Sequence, residues 1–113
     1  MSVDAITLAA KALDGLSIRQ AALAYNLANI NSPRFQSLEV HFEQALRQAA
    51  HRGTDALDQV RFDAVAGHVF AAGEERREDL MLVDASTNAM RYAALADMMG
   101  RRMSILEASI GAR

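Results

Sequence analysis

The chain has 113 residues, 51% apolar but only 5% aromatic, with no cysteine and no tryptophan. Twelve basic against fourteen acidic groups give a net charge of -2, which argues against nucleic-acid binding, where a basic excess is the rule, and against a polyelectrolyte-like disordered chain. Without cysteine there is no disulfide framework, iron–sulfur cluster or thiolate zinc site. No apolar run is long enough to span a bilayer, and Met1 to Lys11 lacks the basic-then-apolar layout of a secretory signal.

Residues 1–30 predict an N-terminal helix. Ile6, Ala9, Leu13, Leu16, Gln20, Leu23, Leu27 and Ile30 recur three and four apart, a heptad seam with one polar member. Gly15 sits inside it at a cost of about 1 kcal/mol relative to alanine. Asn29 and Asn31 suit left-handed terminal positions, and Pro33 excludes Ser32 from the helical region.

Residues 31–77 show a different pattern. Leu38, Val40 and Phe42 alternate with Glu39 and His41, an extended signal. Phe42, Ala45, Leu46 and Ala49 then suggest a short helix ending at Arg52-Gly53, and Thr54 is placed to cap one further turn through Leu57 and Val60. The segment as a whole reads as loosely ordered.

Residues 78–111 predict a single long helix of about 50 Å. Leu82, Ala85, Ala89, Tyr92, Ala96, Met99, Met103, Leu106 and Ile110 form an uncharged heptad stripe, widened by Leu95, Met98 and Ile105. Acidic residues (Glu74, Glu75, Glu78, Asp79) precede it, and Arg101, Arg102 and Arg113 lie toward its far end, both favourable to the helix dipole. The expected architecture is all-α: two long amphipathic terminal helices in an antiparallel coiled-coil hairpin around a loose middle. Such a hairpin leaves Leu8, Ile18, Leu95, Met98 and Ile105 without partners. Either neighbouring molecules complete the fold, or the middle segment supplies a third helix.

Chemistry-bearing patterns are sparse. His41, His51 and His68 lack the spacing that places two imidazoles on one helix face. The acidic run from Glu74 has no Asp-x-Asp-x-Asp-Gly loop and is interleaved with Arg76 and Arg77. There is no glycine-rich phosphate loop and no Gly-x-Ser-x-Gly elbow. The reading is of a non-enzyme without cofactor, metal or small-molecule substrate. Met90, Met98, Met99 and Met103 suit either core packing or an adaptable contact face.

One segment is more specific. Helix-stop chemistry accounts for Asn31 and Pro33 but not for Asn26 and Asn29, poor helix formers placed before the end. Asn26, Leu27, Ala28, Asn29, Ser32, Pro33 and Phe35 match, position by position, the motif Asn-Ile/Leu-Ala-Asn, two variable residues, Thr/Ser-Pro-Gly-Tyr/Phe. Here the chain resembles the flagellar basal-body rod protein family; Arg34 stands where that family has glycine. Leu38 to Leu46 is similar to the family's extended segment and short helix, Gly67-His68-Val69 to a His-Ile/Leu step of its proximal-rod members, and Asn88 to Leu95 to their Asn-x-Leu-x-Tyr-x-Ala pattern. After Gly73 the likeness is poorer.

The resemblance implies one rod-protein domain over residues 1–113 and a structural subunit of the proximal rod in the periplasm. It implies passage through the flagellar type III export apparatus without a cleaved signal, and partners that are copies of the chain, other rod subunits and the membrane-ring adaptor protein. Assembly is then expected through Leu13, Leu16, Leu23, Leu27, Ile30, Leu82, Tyr92, Leu95, Met99, Met103, Leu106 and Ile110, and the amides of Asn26 and Asn29 are expected to meet a neighbour's backbone. The competing reading is a helical adaptor or regulator that self-associates through its C-terminal seam.

Overall fold

A computed structural model describes residues 3–111. Arg113, expected at the C-terminal end of the last helix, lies outside the described residues, as do Met1, Ser2 and Ala112. The elements in order are α1 (Val3–Asn29), β1 (Gln36–Glu39), α2 (Glu43–Arg52), α3 (Thr54–Gln59), β2 (Val65–Val69) and α4 (Glu78–Gly111). The chain is mostly helical, and the two long terminal helices pack together. Asn88 of α4 meets Leu16 and Gln20 of α1, while Arg76, just before α4, reaches Ile30 and Ser32. The two helices therefore run in opposite directions.

The expected all-α fold needs correction, because the middle segment contains a sheet. β1 and β2 pair antiparallel, Gln36 opposite Val69, Leu38 opposite Ala66 and Glu39 opposite Val65, with a bulge between the first two pairs. Gly67 belongs to the bulge: a Cβ there would lie 2.8 Å from Glu39 Cδ and Ser37 Oγ, so any larger residue makes these side chains shift. The middle is not loose. β1 begins two residues before the alternation that signalled it, and Val40 and Phe42 continue inward beyond its end. Gly53 ends α2 at φ 103, as the Arg52-Gly53 step suggests. Thr54, however, does not cap α3; it is the first helical residue, and its hydroxyl donates to the Asp4 carboxylate across the chain.

Of the two arrangements expected, the core follows in part the one in which the middle segment supplies helix to the bundle. Leu16 and Ala22 of α1 pack with Val40, Phe42, Leu46, Ala49 and Leu57, joined by Ile18, Phe62 and, from α4, Leu95. The middle segment thus covers one face of α1. Gly15 makes this possible: a Cβ at position 15 would stand 2.4 Å from Phe42 Cγ, so the glycine that weakens the helix admits the ring. Arg19 closes the rim. Its guanidinium grips the Glu43 carboxylate with two bonds of 2.7 Å, donates to the Val40 carbonyl at 2.6 Å, and lies 4.5 Å above the Phe42 ring.

α4 is covered far less. Of its residues only Asn88 is buried, while Met81, Ala85, Leu95, Ala96 and Met99 are half-buried. The stripe toward α1 is 81, 85, 88, 92, 95, 99, one residue out of phase with the expected seam at alternate positions. Every described residue from Gly100 onward on α4 is exposed. The chain measures 65 × 26 × 14 Å with a radius of gyration of 17.6 Å, against about 13 Å for a compact chain of this length. It exposes 7567 Å², where a globular protein of its mass exposes about 6,100 Å².

Candidate functional site

The motif region is a junction of three elements. Asn26 on the last turns of α1 is buried, and its side-chain amide pairs with β1 as a neighbouring strand would: Nδ2 donates to the Leu38 carbonyl at 2.9 Å, and the Leu38 N–H donates to Oδ1 at 2.8 Å. Asn29 Nδ2 donates to the Tyr25 carbonyl one turn back, at 2.8 Å. The Asn26 amide is thus engaged within the chain on both its nitrogen and its oxygen, whereas Asn29 spends one N–H on its own helix.

The turn after α1 differs from expectation too. Neither Asn29 nor Asn31 is left-handed; that conformation belongs to Arg34, at φ 56. Its position is the one where the rod-family motif has glycine. The turn delivers Phe35 into a buried site, stacked on Phe70 at 5.3 Å between ring centroids. Leu27, Asn29 and Ser32 are half-buried, and Ala28 and Pro33 are exposed.

Arg76 locks this junction to the start of α4. The last turn of α1 holds no basic residue, and its carbonyls need donors. Arg76 brings a positive charge to this end from across the chain and ties down the turn just past the helix, donating to the Ile30 carbonyl at 2.6 Å and the Ser32 carbonyl at 2.7 Å, with its guanidinium about 6 Å from the Phe35 and Phe70 rings. Sequence reasoning passed over Arg76 because it reads as one charge among several.

The second feature is the surface of the long helices. Leu16 and Ile30 are buried, and Leu13, Leu23, Leu27, Leu95 and Met99 are half-buried inside the single chain. Leu82, Tyr92, Met103, Leu106 and Ile110 are exposed, Ile110 at 69%. Leu80, Val83, Met90, Met98 and Ile105 are exposed beside them. Exposed apolar side chains thus run along α4 from Leu80 to Ile110. At its inner edge the two polar members of the helix contact find each other: Asn88 Nδ2 donates to Gln20 Oε1 and to the Leu16 carbonyl, both at 2.8 Å. Asn88 Oδ1 has no partner. Such a polar pair fixes register at some cost in stability. Gln20 stood out in the sequence as the polar seam residue; Asn88 was hidden by the one-residue phase difference.

Among the described residues no group of three or more His, Cys, Asp or Glu is placed to hold a metal ion. His41 faces Glu39 at 3.0 Å, and His68 faces Glu74 at 2.5 Å. Glu74, which also accepts the Ala71 N–H, is held below its ordinary pKa by that backbone bond first and by His68 second. No described helix is long and apolar enough to cross a membrane.

No family model matches the chain. Over 49 residues it is 47% identical to the flagellar basal body rod protein FlgB of Borrelia hermsii, a stretch covering 43% of this chain and 34% of that protein. The chain therefore matches about a third of the length of this curated relative.

Proposed function

We propose that this chain is a structural subunit of the bacterial flagellar basal-body rod, in its proximal part, and that it assembles through its terminal helices. The observation that carries the reading is the 47% identity over 49 residues to a flagellar basal body rod protein. The shape supports it: a polymer subunit can leave apolar helix faces open for its neighbours to cover, and the far half of α4 is such a face.

On this reading the contact residues are Leu13, Leu23, Leu27, Leu82, Tyr92, Leu95, Met99, Met103, Leu106 and Ile110, with Leu16 and Ile30 supporting them from within. Asn26 to Phe35 serves as the internal junction that sets the angle of α1. The partners are copies of the chain, other rod subunits and the membrane-ring adaptor protein, and the chain reaches the periplasmic rod through the flagellar export apparatus. No chemistry is performed and no cofactor is required.

Deleting the gene in its own host and probing purified basal bodies from the complemented strain tests this. The expected result is loss of swimming on deletion, restored by the gene, with the chain present in the basal-body fraction. Normal swimming without the gene, or a chain absent from purified basal bodies, contradicts the proposal.

A further inference from the structure

We infer that α4 can be exchanged between two copies of this chain, pivoting at Arg77, so that each α4 packs on the partner copy's α1. The inference rests on the packing inside one chain and stands independently of the rod assignment. The surface that fits α4 is already on the page: it is α1, contacted along Met81, Ala85, Asn88, Leu95 and Met99 and held in register by Asn88 on Leu16 and Gln20. A second copy presents the same surface, so exchange recovers every one of these contacts.

Three observations point to exchange. First, the pivot is sharply bounded. Arg76 is anchored to its own α1 by two hydrogen bonds to Ile30 and Ser32, whereas the next residue, Arg77, holds a left-handed φ of 29 that disfavours any side chain with a Cβ. The Arg77 carbonyl accepts the Leu80 and Met81 N–H groups that open α4, so a rotation at Arg77 redirects the whole helix. In the closed chain this residue therefore carries backbone strain. Second, α4 contributes a single fully buried residue, Asn88. Third, the first two turns of α4 expose Leu80, Leu82 and Val83 at 49%, 52% and 59%. These lie next to the pivot, where the two-fold axis of an exchanged pair brings both copies together.

The chain has no cysteine, so introduced thiols report without background. Ser17 on α1 and Ala89 on α4 are exposed and line one small pocket. Ser17→Cys chains and Ala89→Cys chains are unfolded together, refolded as a mixture and treated with a short bismaleimide. Exchange predicts a covalent heterodimer after joint refolding and little when the two chains are folded separately and then mixed. Arg77→Gly, which makes the closed φ easy, lowers the heterodimer yield several-fold, while Asp79→Ala, which removes the Arg77–Asp79 ion pair, leaves it unchanged. Absence of the heterodimer after joint refolding, equal yields with and without joint refolding, or no effect of Arg77→Gly overturns the inference. Light scattering on the unmodified chain gives a test free of variants: refolding at high concentration yields a dimer that converts slowly to monomer on dilution, and a chain that is monomeric throughout contradicts exchange.

Discussion

Asn26 holds Leu38 by both of its backbone groups, accepting the N–H and donating to the carbonyl with one side-chain amide. The link spans from α1 to β1 and takes the place of a missing third strand on that edge of the sheet. Asn26→Ala leaves a donor and an acceptor of β1 without partners beside a buried site. Each unsatisfied group costs about 1–3 kcal/mol, which outweighs the better helix propensity of alanine. Urea unfolding is expected to show a loss of about 2–4 kcal/mol for Asn26→Ala. Asn29→Ala, which removes only a bond to its own helix, is expected to stay within about 0.5 kcal/mol of the parent.

Gly15→Ala separates local propensity from tertiary packing. Propensity alone predicts a gain of about 1 kcal/mol. The ring of Phe42, 2.4 Å from the new Cβ, must move instead. Overpacking of this kind costs about 1–3 kcal/mol, so a lower unfolding midpoint is expected. Gly15→Ala combined with Phe42→Leu is expected to lose less than the two single changes summed, because the substituted residues share one contact.

Arg34→Gly is expected to stabilise. The left-handed conformation at φ 56 costs a residue with a Cβ about 1–2 kcal/mol, and the added freedom of glycine in the unfolded chain returns part of that. A net gain of a few tenths to about 1 kcal/mol in urea unfolding is the expected outcome.

The Arg19–Glu43 pair makes stability depend on pH. The hydrogen bonds from the Arg19 guanidinium hold the Glu43 carboxyl below its ordinary value of 4.5, with burial the next largest influence and acting in the other direction. Because the folded value is the lower one, the contribution is complete above the ordinary carboxylate range and fades as pH falls through the folded value. Glu43 is about half exposed, which limits the pair to about 1 kcal/mol or less. The stability difference between parent and Glu43→Gln is expected to be constant from pH 7 to about 5 and to shrink below pH 4.5.

Both long helices were legible because their signals are local. The acidic start, the uncharged stripe and the final glycine of α4 mark Glu78–Gly111, and Asn29 and Pro33 mark the end of α1. What was not legible depends on contacts distant in sequence. Val65–Val69 carries no inward alternation, since most of the strand is exposed, and it is extended because β1 lies beside it. The core between α1 and the middle segment hinges on Gly15 admitting Phe42, and a glycine inside a helix pattern reads only as a cost. The stripe of α4 was displaced by one residue because Met81 and Leu82 are both apolar and the two stripes share Ala85, Tyr92 and Met99. Of the motif, Asn26 was visibly out of place in a helix, but its partner, a backbone unit twelve residues on, leaves no mark in the sequence.

The central claim is that the far half of α4 is a contact surface for neighbouring subunits and not part of the chain's own core. Leu106→Glu tests it most directly. Leu106 is 40% exposed in the single chain, so the isolated variant is expected to unfold within about 0.5 kcal/mol of the parent. In the chain's own host, the same substitution is expected to exclude it from purified basal bodies and abolish swimming. Incorporation at the parent level together with normal swimming would contradict the account.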